Sequence, residues 1–303
     1  MGRSEGFFIF RLLFRVISYF CPIKQKQDIE NEVTDWLNNL PGDIIFNKIQ
    51  ILESPFPVFV FPNHNLQLHV ISFAQYIKED LNANFFAELS QSYAYLQTIH
   101  LWEDQWHTAK SIIKNRLLSK LGMSRRIHGR KTEVRRIDKT IAQHFLKIQH
   151  LQGYSTGYYK YGLYEKDILY AVALFSKTRK MRQENYRSSE LIRYANLDGH
   201  HVSGGLGKLI NHYINELQPN DIMTYVDCDW GNGDGYKKIG FETKEITFPQ
   251  MFWVNPETYE RHSPSKFYKE MGLDFSVSKS IVLSRYGLIE IYNSGNIKMV
   301  KNC

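Results

Sequence analysis

The segment from residue 202 to residue 241 constrains the fold of this chain most strongly. Its glycines stand where an apolar strand pattern changes into a helical pattern. Glycine tolerates a sharp turn at such a junction, and the first N–H groups of the helix, together with its dipole, attract an anion. The segment therefore predicts a phosphate-binding turn, which consists of Ser203, Gly204, Gly205, Leu206, Gly207 and Lys208.

The elements that follow this glycine turn narrow the fold class. A strand is predicted over residues 221–227, a short helix over 235–240 and another strand from Phe241. This order, with Tyr236 and Gly240-Phe241 in a Tyr-x-x-x-Gly-Phe motif, resembles the GNAT acyltransferases. The resemblance implies a mixed-sheet α/β domain that uses acetyl-CoA or another acyl-CoA and no metal. Val202 departs from the family pattern, because GNAT proteins usually carry Arg or Gln there.

Composition favours a folded, basic protein with two domains. The 303 residues are 43% hydrophobic, which is enough for a large core. The net charge of +7 favours polyanionic partners such as nucleic acid or an anionic membrane. The three cysteines form no C-x-x-C pair and have no nearby histidine spacing typical of zinc, so we expect a reducing, cytoplasmic location. The oligomeric state stays open.

The apolar stretch over residues 7–21 is too short for a transmembrane helix and is interrupted by Arg11 and Arg15. These arginines fall on one helical face with Ser18. The pattern predicts an amphipathic helix that either packs on the protein body or lies on a membrane surface.

Changes in periodicity predict five regions along the chain. Residues 1–44 carry N-terminal amphipathic helices, and 45–124 form an α/β domain that begins with a hairpin over 58–61 and 66–73. Residues 125–140 form a basic linker, 141–258 the GNAT-like domain, and 259–303 a C-terminal helix followed by a hairpin over 287–292 and 297–300.

The predicted linker is the most basic run of the sequence. Such a run is either a solvated connection or a surface that contacts nucleic-acid phosphates. The candidate phosphate-binding residues are Arg125, Arg126, Arg130, Lys131, Arg135 and Arg136.

Six spaced motifs extend the resemblance over most of the chain, at residues 100–106, 145–153, 190–193, 202–208, 225–227 and 291–296. They resemble phage and mobile-element proteins that join a nuclease-like segment to a GNAT-like domain. The first part is similar to the very-short-patch-repair type of endonuclease, and the second to the phage Mom protein, which modifies adenine in DNA. The fold class implied is a degenerate restriction-endonuclease-like α/β domain followed by a GNAT-like mixed-sheet α/β domain.

Nuclease chemistry of this type needs clustered carboxylates that hold Mg²⁺. Where relatives place Asp and Glu on the hairpin strands, this chain has Val58 and His69. Glu103 and Asp104 remain, although a solvated turn explains them equally well. We therefore expect a DNA-gripping scaffold, and a homing-type endonuclease stays an alternative.

The resemblance assigns catalytic roles to four residues of the second part. Tyr236 would protonate the departing thiolate, His150 would act as the base, Asp227 would accept a proton or orient His150, and Arg193 would bind phosphate. Each residue also has a structural explanation: a turn cap for His150, a brace of the loop 231–235 for Asp227, and core packing for Tyr236. The alternative to an enzyme is a non-catalytic nucleic-acid-binding accessory protein of a mobile element.

Overall fold

A computed structural model describes residues 28–42, 44–181 and 185–303 of the chain. The amphipathic helix predicted over 7–21 lies outside these residues. Within the described ranges, no helix combines the length and the apolar character that crossing a membrane requires. Within the region 1–44, for which amphipathic helices are predicted, the structure has α1 (Ile29–Asn38), with the Asp28 carboxylate as its N-cap.

Residues 28–124, which we call the front part, contain a four-stranded sheet with strand order β1-β2-β3-β4. The elements are α1, β1 (Asn47–Ile49), β2 (Val58–Phe61), β3 (Leu66–Ile71), α2 (Phe73–Tyr76), α3 (Phe85–Ser92), β4 (Gln97–Trp102), α4 (Glu103–Thr108) and α5 (Lys110–Lys120). Strands β2 and β3 form the predicted antiparallel hairpin, and β4 lies parallel to β3. Strand β3 is buried along its whole length, including its polar residues Gln67 and His69.

The hairpin position that the nuclease resemblance would assign to metal binding contains a buried histidine network. Val58 and His69 lie opposite each other on the hairpin. The Nδ1 atoms of His69 and His100 share a hydrogen bond of 2.9 Å, and their Nε2 atoms contact the hydroxyls of Ser54 and Ser90, each at 2.7 Å. Burial lowers the pKa of His69 well below its usual range and that of His100 to about 3. Two neutral imidazoles therefore occupy this position.

Glu103 and Asp104 are buried, so the solvated-turn explanation is wrong. Glu103 accepts hydrogen bonds from the Phe73 amide at 2.6 Å and the Tyr259 hydroxyl at 3.1 Å. Asp104 accepts two from Arg261, at 2.6 and 2.7 Å. Among the described residues, no group of three or more His, Cys, Asp or Glu is arranged to hold a metal ion.

The second part, residues 125–303, is built on an eight-stranded sheet whose main order is β13-β17-β12-β10-β8-β7-β6, with β9 paired to β10. Its elements are β5 (Arg125–His128), β6 (Glu133–Arg136), α6 (Lys139–Gln149), β7 (Tyr159–Glu165), β8 (Ile168–Phe175), β9 (Arg179–Lys180), β10 (Arg187–Asn196), β11 (His200–Ser203), α7 (Gly205–Leu217), β12 (Asp221–Asp227), α8 (Asp234–Lys237), β13 (Glu242–Ile246), β14 (Met251–Val254), β15 (Arg261–His262), α9 (Pro264–Glu270), α10 (Lys279–Tyr286), β16 (Ile289–Tyr292) and β17 (Asn296–Asn302). The predicted succession of strand, glycine turn, helix and strand is present as β10, the turn before α7, α7 and β12, within a mixed sheet, as the resemblance implies.

The predicted basic linker is not a linker, because most of it forms strands. Strand β5 pairs in parallel with β11, next to the glycine turn, and β6 forms the edge of the large sheet beside β7. A charged strand suits an exposed sheet edge because it discourages pairing with other chains. The second part therefore begins at the start of this basic run.

The C-terminal hairpin predicted over 287–292 and 297–300 is also wrong. Strand β16 pairs with β14 in a separate three-stranded sheet, whereas β17 lies between β12 and β13 in the large sheet. The side chains of Ile297 and Met299 are buried in the core of the large sheet. Because these side chains fill that core, β17 pairs within the large sheet and not with β16, which precedes it in the sequence. The elements from β14 to β16 form an insertion between β13 and β17.

Strands β10 and β12 separate after a short parallel contact. They pair from Ser188 opposite Asp221 to Glu190 opposite Met223, and an irregularity in β10 follows between Leu191 and Arg193. Beyond it, the facing edges no longer pair with each other. This separation opens a cleft in the middle of the sheet.

Candidate functional site

The cleft between β10 and β12 contains a cavity of about 430 Å³. Its walls are the separated strand edges, the loop after α6, the loop 227–231, the start of α8 and one side chain from the front part. The residues that line it include Arg116, His150, Glu190, Arg193, Tyr194, Thr224, Asp227, Trp230 and Tyr236. All four residues assigned to catalysis from the sequence thus line one cavity.

Asp227 is the residue best suited to accept a proton. Burial and the neighbouring charge of Asp229 raise the pKa of its carboxyl to about 7. One carboxylate oxygen accepts a hydrogen bond of 3.0 Å from the Asp229 amide, and the Asp227 carbonyl accepts from Trp230 and Gly231, each at 3.0 Å. Asp227 therefore braces the following loop, as its structural explanation suggests, and still faces the cleft.

His150 is poorly suited to the role of base predicted for it. Burial, with the positive charges of Arg193 and Arg116, lowers the pKa of its imidazole to about 3. Its Nδ1 accepts a hydrogen bond of 3.2 Å from the Gln152 amide, so the ring caps the turn after α6. A neutral imidazole with a proton on Nε2 can donate a hydrogen bond into the cleft, but it binds an additional proton only weakly.

Tyr236 supplies a protonated phenol at the start of α8. Burial raises its pKa, and a hydrogen bond with Thr224 partly opposes that effect. Thr224 also donates to the Leu191 carbonyl at 3.0 Å, where the two strands separate. The Tyr236 ring packs against the sheet core, but the residue lines the cleft as well.

The Arg193 guanidinium donates hydrogen bonds to two backbone carbonyls. It donates to the Ile192 carbonyl at 2.8 Å and to the Gly153 carbonyl at 3.4 Å. These bonds hold the side chain beside His150 at the wall of the cleft.

Arg116 is a cleft residue that the sequence interpretation missed. It belongs to α5 of the front part, yet its guanidinium carbon lies 4.5 Å from the centroid of the Trp230 ring. The basic character of α5 gave no indication that this helix faces the loop after β12. Only the packing of the two parts against each other brings Arg116 into the site.

The glycine turn has the predicted backbone form but lies apart from the residues that line the cavity. Gly204 has a φ of +73° and precedes the 13-residue helix α7. A Cβ built on Gly129 would lie 2.9 Å from the Ser203 carbonyl oxygen, so the basic segment packs directly on the turn. The Lys208 ammonium donates to the carbonyls of Gly129 and Thr132 and so fastens this segment. None of residues 203–208 is among the described residues that line the cavity.

The basic residues divide into two groups. Arg135 forms an ion pair with Glu133, and Arg136 pairs with Glu216 at 3.3 Å. The side chains of the other four are exposed and form no hydrogen bond or ion pair with the described part of the chain; these residues are Arg125, Arg126, Arg130 and Lys131. This exposed group lies beside the glycine turn, since β5 pairs with β11.

Comparisons with known proteins add structural matches of low similarity. No protein-family model matches the sequence, and no curated protein matches it significantly. A Bacillus subtilis acetyltransferase in complex with CoA matches with a TM-score of 0.34 and 13% identity, over 57% of this chain and 99% of that protein. A GNAT family acetyltransferase from Elizabethkingia anophelis with bound acetyl-CoA matches with a TM-score of 0.32 and 11% identity, over 57% of this chain and 99% of that protein. The ribosomal-protein-S18-alanine N-acetyltransferase of Escherichia coli matches with a TM-score of 0.34 and 15% identity, over 56% of this chain and 93% of that protein.

Proposed function

We propose that the protein is an acyl-CoA-dependent N-acyltransferase whose reaction takes place in the cleft between β10 and β12. The observation that carries this proposal is the presence of Asp227 and Tyr236 in one cavity at the point where the strands separate. A carboxyl with a pKa near 7 and a protonated phenol are the base and the acid that acyl transfer to an amine needs.

The cleft fits the arm of an acyl-CoA. Beyond Glu190 and Met223, the facing edges of β10 and β12 do not pair with each other, so their backbone N–H and C=O groups can bind an extended amide chain in the manner of an added strand. The cavity of about 430 Å³ is in the size range of small-molecule sites, which is roughly 300–1,000 Å³. The amides at the start of α7, near Leu206, would receive the phosphates.

The residues of the chain have complementary roles. When bound, acyl-CoA supplies an activated acyl group and a sulfur leaving group. The Asp227 carboxylate takes the proton that the amine nitrogen loses as the new C–N bond forms. The Tyr236 hydroxyl gives its proton to the sulfur as the C–S bond breaks. His150 Nε2–H can donate a hydrogen bond to the oxygen on which negative charge develops.

Acetyl-CoA is expected to stabilise the folded protein. At a concentration of 100 times its Kd, it should add about 2.7 kcal/mol to the free energy of unfolding. Thermal unfolding with and without acetyl-CoA measures the effect. Adenosine 3′,5′-bisphosphate, which lacks the amide arm, serves as the control and should stabilise less. Equal unfolding curves with and without saturating acetyl-CoA would contradict the proposal.

The second candidate function is nucleic-acid binding, either as the acceptor of the acyl group, as in a Mom-like DNA modification, or without catalysis. Two features favour the non-catalytic form. Val202 supplies an apolar side chain at the glycine turn, and Gly129 packs on the backbone of the turn, so both leave fewer groups that could bind a diphosphate there. The exposed residues Arg125, Arg126, Arg130 and Lys131 favour binding of a polyanion in either form.

Replacing these four residues with glutamine is expected to weaken binding to a DNA duplex. The slope of log K against log salt concentration should become shallower by about 0.9 for each phosphate that the variant no longer neutralises. Fluorescence anisotropy at several salt concentrations, with duplex DNA and RNA, provides the measurement. Lys269→Gln, an exposed site on α9, is the control. A salt slope that is the same in the four-site variant and the parent protein would exclude this surface.

A further inference from the structure

The Arg116 side chain extends from α5 of the front part into the cleft, where one face of its guanidinium packs on a tryptophan ring. Its guanidinium lies over Trp230, whose side chain is 1% exposed. The Trp230 indole N–H donates to Gln105 at 3.2 Å, and the Gln97 amide donates to the Trp230 carbonyl at 3.3 Å. The ring is thus a rigid platform, and Arg116 stacked on it is positioned before any ligand arrives.

The guanidinium N–H groups of Arg116 have no hydrogen-bond or ion-pair partner within the described residues. Three other arginines differ: Arg261 binds Asp104 with two hydrogen bonds, Arg193 binds two carbonyls, and Arg136 pairs with Glu216. Asp227 influences Arg116 through its charge but forms no ion pair with it. Five donors in a planar fork thus remain for a ligand.

The charges around Arg116 favour an anion. Arg193 lies in the same cavity, and Lys120, one helical turn from Arg116 on α5, adds to the positive potential. The carboxyls in the lining are Glu190 and Asp227, and burial together with the charge of Asp229 raises the pKa of Asp227, which disfavours its negative charge. A planar guanidinium in such surroundings binds carboxylate or phosphate oxygens in pairs.

We propose that Arg116 is the centre of an anion-binding subsite that holds a carboxylate or phosphate group of the acyl acceptor. The identification of this ligand as the acceptor rests on the proposed function, whereas the anion site itself does not. The glycine turn, where the phosphates of acyl-CoA would bind, contributes no residue to this cavity. Arg116 approaches from the front part, outside the sheet that would hold the donor. The acceptor is therefore an amine that carries its own negative charge.

Titration with inorganic phosphate, and separately with acetate, tests the subsite in the full-length protein. Calorimetry gives the Kd. We expect saturable binding that Arg116→Gln weakens at least tenfold. Arg116→Lys, which keeps the charge and removes the planar fork, should weaken it to an intermediate degree. The matched control Arg285→Gln, at an exposed position on α10, should bind as the parent protein does. Equal affinity in Arg116→Gln and the parent, or an equal loss in Arg285→Gln, would overturn the proposal.

A second set of titrations separates the acceptor from the donor. With CoA present at saturation, phosphate should still bind at Arg116, because the two ligands occupy different parts of the cleft. Exclusion of phosphate by CoA would mean that Arg116 holds a donor phosphate, and the assignment to the acceptor would be wrong. If CoA itself fails to bind, the proposed function is lost, while the phosphate titration still decides whether Arg116 forms an anion site.

Discussion

Asp227→Asn is expected to reduce kcat for acyl transfer by about 10² to 10⁴, the usual contribution of a general base. The amide has nearly the same shape as the carboxyl and can still accept the hydrogen bond from the Asp229 amide. Acetyl-CoA should therefore bind with little change, and the loss should appear in kcat. Steady-state rates, combined with calorimetric binding of acetyl-CoA, measure the two effects separately.

The pH profile of the parent enzyme supplies an independent readout. The base form of Asp227 is the carboxylate, and its pKa is raised to about 7 by burial and by Asp229. The rate should therefore rise with pH through this region and level off above it, and the residual rate of Asp227→Asn should lack this inflection. Asp167→Asn, in the exposed turn between β7 and β8, is the matched control. A rate in Asp227→Asn within a few-fold of the parent rate would remove Asp227 from the chemistry.

Arg261→Met is expected to destabilise the protein by about 3–5 kcal/mol, because it leaves the buried Asp104 carboxylate without its partner. The Asp104 side chain is only 3% exposed and receives both of its short hydrogen bonds from Arg261. The guanidinium also lies near the rings of Trp102 and Phe252, at 5.7 and 5.4 Å from their centroids. Urea unfolding of the variant and the parent measures the loss.

Two further variants distinguish an unpaired charge from a simple loss of packing. Asp104→Asn combined with Arg261→Met removes the charge as well and should recover part of the stability. Lys266→Met breaks the exposed pair with Glu270 and should cost at most about 1 kcal/mol. If Arg261→Met cost no more than this surface variant, the ion pair would not join the insertion to the front part in the way its geometry suggests.

Local signals predicted the order of the elements around the glycine turn well. Gly204 adopts the left-handed conformation that its place before α7 suggests, and α7 leads into β12 in the predicted order. His150, Arg193, Asp227 and Tyr236 are far apart in sequence and line one cavity. Their catalytic roles stay predictions, and the lowered pKa of His150 moves the role of base to Asp227.

Pairing between distant segments could not be predicted in the same way. The turn residues 293–296 suggested a local hairpin, but β17 pairs with β12, some 75 residues earlier, because its apolar face fills the core of the large sheet. Strand β6 was not predicted because three of its four residues are charged. Such a strand lacks the alternation of apolar and polar residues on which strand prediction depends. Arg116 was missed for a related reason: its place depends on how two sheets pack, and no spacing within α5 encodes that.

Trp230 links the chemistry of the second part to the interior of the first. It follows Asp227 by three residues, yet its side chain belongs to the apolar cluster that also contains Val33, Phe59 and Leu117. A shortened gene that began at residue 125 would leave this indole in water and free the backbone that carries Asp227. Substitutions in the interior of the front part would therefore disturb the loop that carries Asp227, and with it the acyl transfer proposed for the cleft, although they lie far from that loop in the sequence.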